Sequence, residues 1–154
     1  MTVRPIAATD LEAVRLLAAA TPEAPHWEPP IYQAFLESEA DSPRRIFVAE
    51  LSGELAGFIA GRITVDVCEL ESIAVEPRHR RTGVGSGLLA ALIAWAVASH
   101  VLKVQLEVRS ANCSAIIFYE RSGFRRDGLR RGYYRHPDDD ALLMSLTLAA
   151  PSNA

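Results

Sequence analysis

The chain is poor in cysteine, has a single lysine and contains no apolar run long enough to cross a bilayer. Its two cysteines, Cys68 and Cys113, are too few and too isolated for a disulfide framework or a zinc cluster, so no metal is expected. The one lysine, Lys103, lies outside any Gly-x4-Gly-Lys-Ser/Thr pattern, which excludes a P-loop. A Gly-x-Gly-x-x-Gly dinucleotide fingerprint is missing too, because Gly83, Gly85 and Gly87 alternate strictly. The longest apolar stretch, Leu88–Ala98, is about half a membrane span. The start, Met1-Thr-Val-Arg-Pro, lacks the apolar segment of a secretory signal. The expectation is a soluble, cytoplasmic protein with no membrane partner. The formal net charge of −3 argues against a nucleic-acid partner recruited by bulk charge.

The 154 residues suit one domain, expected over 1–149, with 150–154 as a flexible tail. Thr2–Ile6 reads as a short strand. Thr9-Asp10 is expected to cap a helix with Leu11, Val14, Leu17 and Ala18 at helical spacing. Pro22, Pro25, Pro29 and Pro30 break the chain around His26 and Trp27, and a short helix is expected near Ile31–Ser38. The Pro/Trp loop suits either a core cover or a substrate lip. Arg45–Leu51, a Ser52-Gly53 turn and Leu55–Ile63 form a hairpin, and Cys68–Val75 continues it. Lys103–Arg109 follows a crossover helix and should lie parallel to Cys68–Val75. A helix from about Asn112 ends at Gly123. Phe124–Tyr134 and Ala141–Leu148 close the fold as a strand pair around an exposed turn, His136–Asp140. The class is mixed α/β.

Arginine supplies nearly all the positive charge and clusters at 78–81 and 121–135. The first cluster runs into Arg80-Arg-Thr-Gly-Val-Gly85, between a strand and the apolar helix. First-turn amides of a helix have no intrahelical partner, and the helix dipole favours an anion there. Gly83, Gly85 and Gly87 let the backbone approach a ligand with no Cβ in the way. A pyrophosphate suits such a turn; the plain alternative is a helix start with solvated arginines.

A second constellation is Glu107-x4-Asn112-x6-Tyr119-x3-Gly123-Phe124. Strand alternation puts Glu107 with Lys103, Gln105 and Arg109, away from Val104, Leu106 and Val108. Read singly, Glu107 could be a surface acid paired with Arg109 or another arginine. Asn112 could be a helix cap and Tyr119 core packing.

Together these strings resemble the GNAT superfamily of acetyl-CoA-dependent N-acetyltransferases, from about Val3 to Leu148. The carriers are Glu71-Ser-Ile-Ala-Val75, Arg80-Arg-Thr-Gly-Val-Gly85 and Leu106-Glu-Val-Arg-Ser-Ala-Asn112. Ala115-Ile-Ile-Phe-Tyr-Glu-Arg-Ser-Gly-Phe124, Arg131-Gly-Tyr-Tyr134 and Asp140-Ala-Leu-Leu-Met144 complete the set. They are similar to the RimI-like branch, which acetylates the N-terminal alanine of a ribosomal protein. The resemblance implies a mixed, mostly antiparallel sheet with a central splayed parallel pair and flanking helices. It implies that Ile73, Ala74 and Val75 offer main-chain groups to the acetyl-pantetheine arm. Arg80, Arg81, Thr82, Gly83, Val84, Gly85 and Ser86 would hold the pyrophosphate, and Asn112 would reach the pantetheine. Glu107 would be the general base, Tyr119 would face the leaving thiolate, and Tyr133 and Tyr134 would line the peptide mouth. Glu69, where the histone-acetyltransferase branch carries its glutamate, is the rival base or an acceptor contact. Gly132 and Ser72 depart from the branch's usual asparagines, and both departures bear on the acceptor.

The implied acceptor is a protein N-terminus, such as that of a ribosomal protein. A small amine or lysine, or a module that senses acetyl-CoA without turnover, remains open at this stage.

Overall fold

The computed structural model describes residues 1–21 and 43–148. The Pro/Trp loop with His26 and Trp27, the helix expected at 31–38 and the tail at 150–154 lie outside the described residues.

Seven strands form one sheet among the described residues: β1 (Thr2–Pro5), β2 (Arg44–Leu51), β3 (Glu54–Thr64), β4 (Val67–Val75), β5 (Lys103–Arg109), β6 (Arg125–Tyr134) and β7 (Asp139–Thr147). Their spatial order is β1-β2-β3-β4-β5-β7-β6. All neighbours are antiparallel except β4 and β5. The β2–β3 turn places Ser52 and Gly53 at φ 54° and 79°, the mirror-image turn whose twist suits a hairpin. Three helices complete the described fold: α1 (Leu11–Ala20), α2 (Val84–Ala98) and α3 (Cys113–Arg121).

Strand alternation divides the core. Phe47, Ile59, Cys68, Leu70, Val104, Leu106, Leu142 and Met144 face α2 and α3. Ile46, Val48, Phe58, Ala60 and Ala74 face α1, which buries Val14, Leu17 and Ala18 at the expected spacing. Cys68 is fully buried, which pushes its thiol up to about 12; it is a packing residue with no nucleophilic character.

The Asp10 cap differs from expectation. Asp10 closes a 3₁₀ turn, Ala8–Asp10, that leads into α1, and its Oδ2 accepts from the Ala7 amide at 2.7 Å. Its side chain makes no capping bond to α1. The stronger partner is Arg4, which donates to both carboxylate oxygens at 2.7 and 3.0 Å and holds the carboxyl below its usual range.

One irregularity positions everything that follows. The β3–β4 register slips between Ala60 and Gly61, which pair with Ser72 and Leu70 and leave Glu71 as an extra residue. Such a bulge bends its strand. β4 pairs with β5 only from Val67 to Glu69, opposite Lys103 to Gln105. Beyond Glu69, β4 has no strand partner on its β5 side among the described residues. The parallel pair is splayed.

Candidate active site

The glycine turn lies where the splay opens. After β4, a 3₁₀ turn at Pro77–His79 leads into exposed Arg80, Arg81, Thr82 and Gly83, then buried Val84 and half-buried Gly85. Arg81 and Gly83 adopt φ 63° and 87°, the left-handed region that glycine enters without strain. Gly83 caps α2, and its carbonyl accepts from the Gly87 amide at 3.0 Å. A Cβ on Gly83 would meet no heavy atom within 4 Å, so this surface faces outward. At Gly85 a Cβ would sit at ordinary distances, 3.5 Å from Phe118 and 3.9 Å from Val75. The start of α2 therefore converges with α3 and the end of β4. At Gly87 a Cβ would lie 2.6 Å from the methyl of Met1, the end of a flexible and exposed side chain.

Glu69, Glu71, Gln105 and Glu107 project from β4 and β5 toward one face, opposite the residues buried under α2 and α3. Below the splay Glu69, Glu71 and Gln105, but not Glu107, border an open cavity of about 460 Å³, also lined by Arg62, Thr64 and Asp66. Gln105 Nε2 donates to Glu69 Oε1 at 2.6 Å. Arg44 approaches Glu71 to 3.4 Å, yet burial is the larger influence and raises the Glu71 carboxyl.

Glu107 lies one alternation further along β5, within the splay. Arg130 Nη1 of β6 reaches its Oε1 at 3.2 Å, so its arginine partner is Arg130, not Arg109. The Arg130 guanidinium also stands 4.9 Å from the Tyr133 ring centre. The Glu107 charge is the main reason the Tyr133 phenol is raised, and after burial it is the next cause at Tyr134. The two rings meet edge to face with centroids 5.0 Å apart.

Tyr119 completes the group from α3. It is 5 % exposed and lies between Phe118 and Phe124, with ring centroids at 5.3 and 5.6 Å. Burial pushes its phenol well above the ordinary tyrosine value, and the nearby Tyr134 adds to this. Glu107, Tyr134 and Tyr119 thus form a continuous neighbourhood. Glu69 is engaged with Gln105 instead.

The loop joining β5 to α3 ties this group together. Arg109 donates to the Pro137 and Arg135 carbonyls at 2.7 and 3.1 Å and stacks 4.4 Å from the Tyr134 ring centre. The Ser110 amide donates to the Asp140 carbonyl at 3.0 Å, and the Ala111 amide to Asp139 Oδ2 at 3.0 Å. Asn112 then caps α3, its Oδ1 accepting from the Ala115 amide at 3.3 Å. The strand pair that carries Tyr133 and Tyr134 is pinned to the loop that starts the Tyr119 helix.

Arg130 was not singled out from the sequence; Gln105 was named there only for its strand face, and Arg109 only as one possible partner of Glu107. The arginine cluster beside the tyrosine pair was the only available signal, and it could not say which arginine meets Glu107.

The family model described as the acetyltransferase (GNAT) family matches residues 11–124. A protein of Escherichia coli strain K12 named [ribosomal protein bS18]-alanine N-acetyltransferase is 37 % identical over 100 residues, covering 64 % of this chain and 68 % of that one. The crystal structure of the ribosomal-protein-S18-alanine N-acetyltransferase from Escherichia coli superposes with TM-score 0.84 at 28 % identity, over 99 % of this chain and 96 % of that one. A Bacillus anthracis protein described as a putative streptothricin acetyltransferase, solved with acetyl coenzyme A, shares the fold with TM-score 0.81 at 21 % identity, over 96 % and 98 % of the two chains.

Proposed function

The chain belongs to the GNAT family of acetyltransferases, and from that membership we propose that its acceptor is the N-terminal α-amine of a protein, with Glu107 as base and Tyr119 beside the leaving sulfur. It is an N-acetyltransferase that uses acetyl-CoA. The residues present suit that cosubstrate. A left-handed glycine at an open helix mouth accommodates a diphosphate, and unpaired β4 main chain beyond Glu69 offers a linear arm a strand to lie along. When bound, acetyl-CoA supplies an acyl group already activated as a thioester.

The chain's own residues do the rest. The Arg80–Ser86 segment grips the diphosphate through amides and arginine, Ile73–Val75 align the acyl arm, and Asn112 contacts the arm from the start of α3. Tyr133 and Tyr134 flank the acceptor. Glu107, through a water, takes the proton of the attacking amine. An α-amine has a pKa near 8 and a lysine near 10.4, so deprotonation at pH 7 costs about 1 and about 4–5 kcal/mol respectively. A carboxylate is matched to the smaller demand.

Tyr119 holds its proton more tightly than an ordinary tyrosine because it is buried. Complete donation to a thiolate of pKa about 8.5 is therefore uphill. Its role is a hydrogen bond that stabilises charge as it develops on sulfur.

The observation that carries this reading is the Glu107–Tyr134–Tyr119 neighbourhood at the open end of the splay. Incubation with acetyl-CoA and a library of peptides with free N-termini, read by mass spectrometry, is expected to yield peptides acetylated at the α-amine. Thiol release without any acetylated N-terminus would defeat the proposal.

A further inference from the structure

The base carries a counter-ion of its own. Arg130 comes from the edge strand β6, places Nη1 3.2 Å from Glu107 Oε1 and is held against the Tyr133 face. The two side chains are 53 % and 31 % exposed, and ion pairs this wet add little to stability. Folding gives little reason for an arginine here. Its position at the mouth flanked by Tyr133 gives a chemical one.

Building on the acceptor reading above, the geometry points to Arg130 as a specificity-determining residue that selects for amines able to arrive uncharged. An isolated carboxylate in this position would attract any ammonium ion. With Oε1 already committed to a guanidinium, that attraction is largely cancelled and a second cation is repelled. Glu107 keeps Oε2 to accept a proton through water. Of the groups around this carboxylate, Tyr133 and Tyr134 are neutral at physiological pH and Arg109 on its own strand is cationic. Two further acids are engaged by neutral donors, Glu69 on β4 by Gln105 and Asp139 on β7 by the Ala111 and Asp140 amides, so Arg130 is the cation paired directly with Glu107.

The filter acts unequally on the two kinds of protein amine. At pH 7 roughly a tenth of an α-amine is neutral and can enter without meeting the repulsion. For a lysine side chain the neutral share is roughly four in ten thousand, so it must enter as a cation and bear the full penalty. Arg130 would thus turn a difference in amine acidity into a difference in acceptor choice.

The test uses two lysine-containing peptides of one sequence, one with a free N-terminus and its lysine blocked, the other with a blocked N-terminus and a free lysine. Acetylation of both is followed for the wild type, Arg130→Met and Arg130→Lys. The ratio of kcat/KM, α-amine over lysine, is expected to fall tenfold or more in Arg130→Met, chiefly through a lower KM for the lysine peptide. Arg130→Lys keeps the charge and is expected to return the ratio to within threefold of wild type. A loss of packing alone would not be rescued in this way. If Arg130→Met folds poorly, Arg130→Gln serves as the uncharged variant. An unchanged ratio in a folded, acetyl-CoA-binding uncharged variant overturns the filter while leaving the N-terminal acceptor intact. A wild-type enzyme inactive on the free N-terminus overturns both.

Discussion

The two ends of the splay are built from different materials. On the glycine-turn side the contacts available to a ligand are main chain: a left-handed Gly83, exposed amides at the mouth of α2 and the unpaired rim of β4. On the hairpin side they are side chains, with Glu107, Arg130, Tyr133 and Tyr134 crowding one another and Arg109 fastening the hairpin from behind. A main-chain site depends on backbone dihedrals and is indifferent to most side-chain chemistry. A site made of charges and phenols depends on pairing. The first suits a ligand that is always the same, and the second suits a partner that must be told from its rivals.

The largest expected effect tests the main-chain side. Gly83→Val forces a β-branched residue to φ 87° and adds a side chain where the surface is open. Calorimetry is expected to show acetyl-CoA affinity reduced beyond about a hundredfold, at about 3 kcal/mol or more. Retained affinity would show that the backbone at this position is not what grips the coenzyme.

Glu107→Gln probes the opposite end. It keeps shape and removes the proposed base, so kcat should fall about a hundredfold while acetyl-CoA affinity stays at the wild-type value. Loss of affinity in this variant would blur the division. Full activity, with loss in Glu69→Gln instead, would move the base to the cavity below the splay.

The smallest effect concerns Tyr119, packed between Phe118 and Phe124. Tyr119→Phe should lower kcat about tenfold, the share of one hydrogen bond to developing charge. It carries a second readout. Burial raises the folded-state pKa, so the neutral phenol contributes stability that is complete below the unfolded value near 10 and is lost as pH rises from there toward the folded value. The wild type should therefore lose melting temperature above about pH 10 more steeply than Tyr119→Phe. Parallel alkaline curves would mean that the phenol is solvated.

Much of this was legible in the sequence where a local rule forces the residue. Strand alternation put Glu107 on the polar face, helical spacing marked Val14, Leu17 and Ala18 for burial, and the strand–glycine–helix order located the turn. Long-range pairing was not legible. Arg130 meets Glu107 only because β7 inserts between β5 and β6 and the β6 register slips around Arg130, neither of which follows from the residues of β6 alone. The Glu71 bulge has no residue signature either; it shows only as an uneven count of paired positions on β3 and β4. Gly87 completes a series with Gly83 and Gly85, and the contact with the Met1 side chain there was not legible from the sequence.

Among the described residues, three rungs between Val67–Glu69 and Lys103–Gln105 join four strands to the other three within the sheet. A guest seated above those rungs acts as a keystone between two leaning walls. By mass action such a guest adds about 2.7 kcal/mol to folding stability at a hundred times its dissociation constant. The enzyme should be at its sturdiest when charged for reaction, and each departing product should leave it briefly easier to pry open.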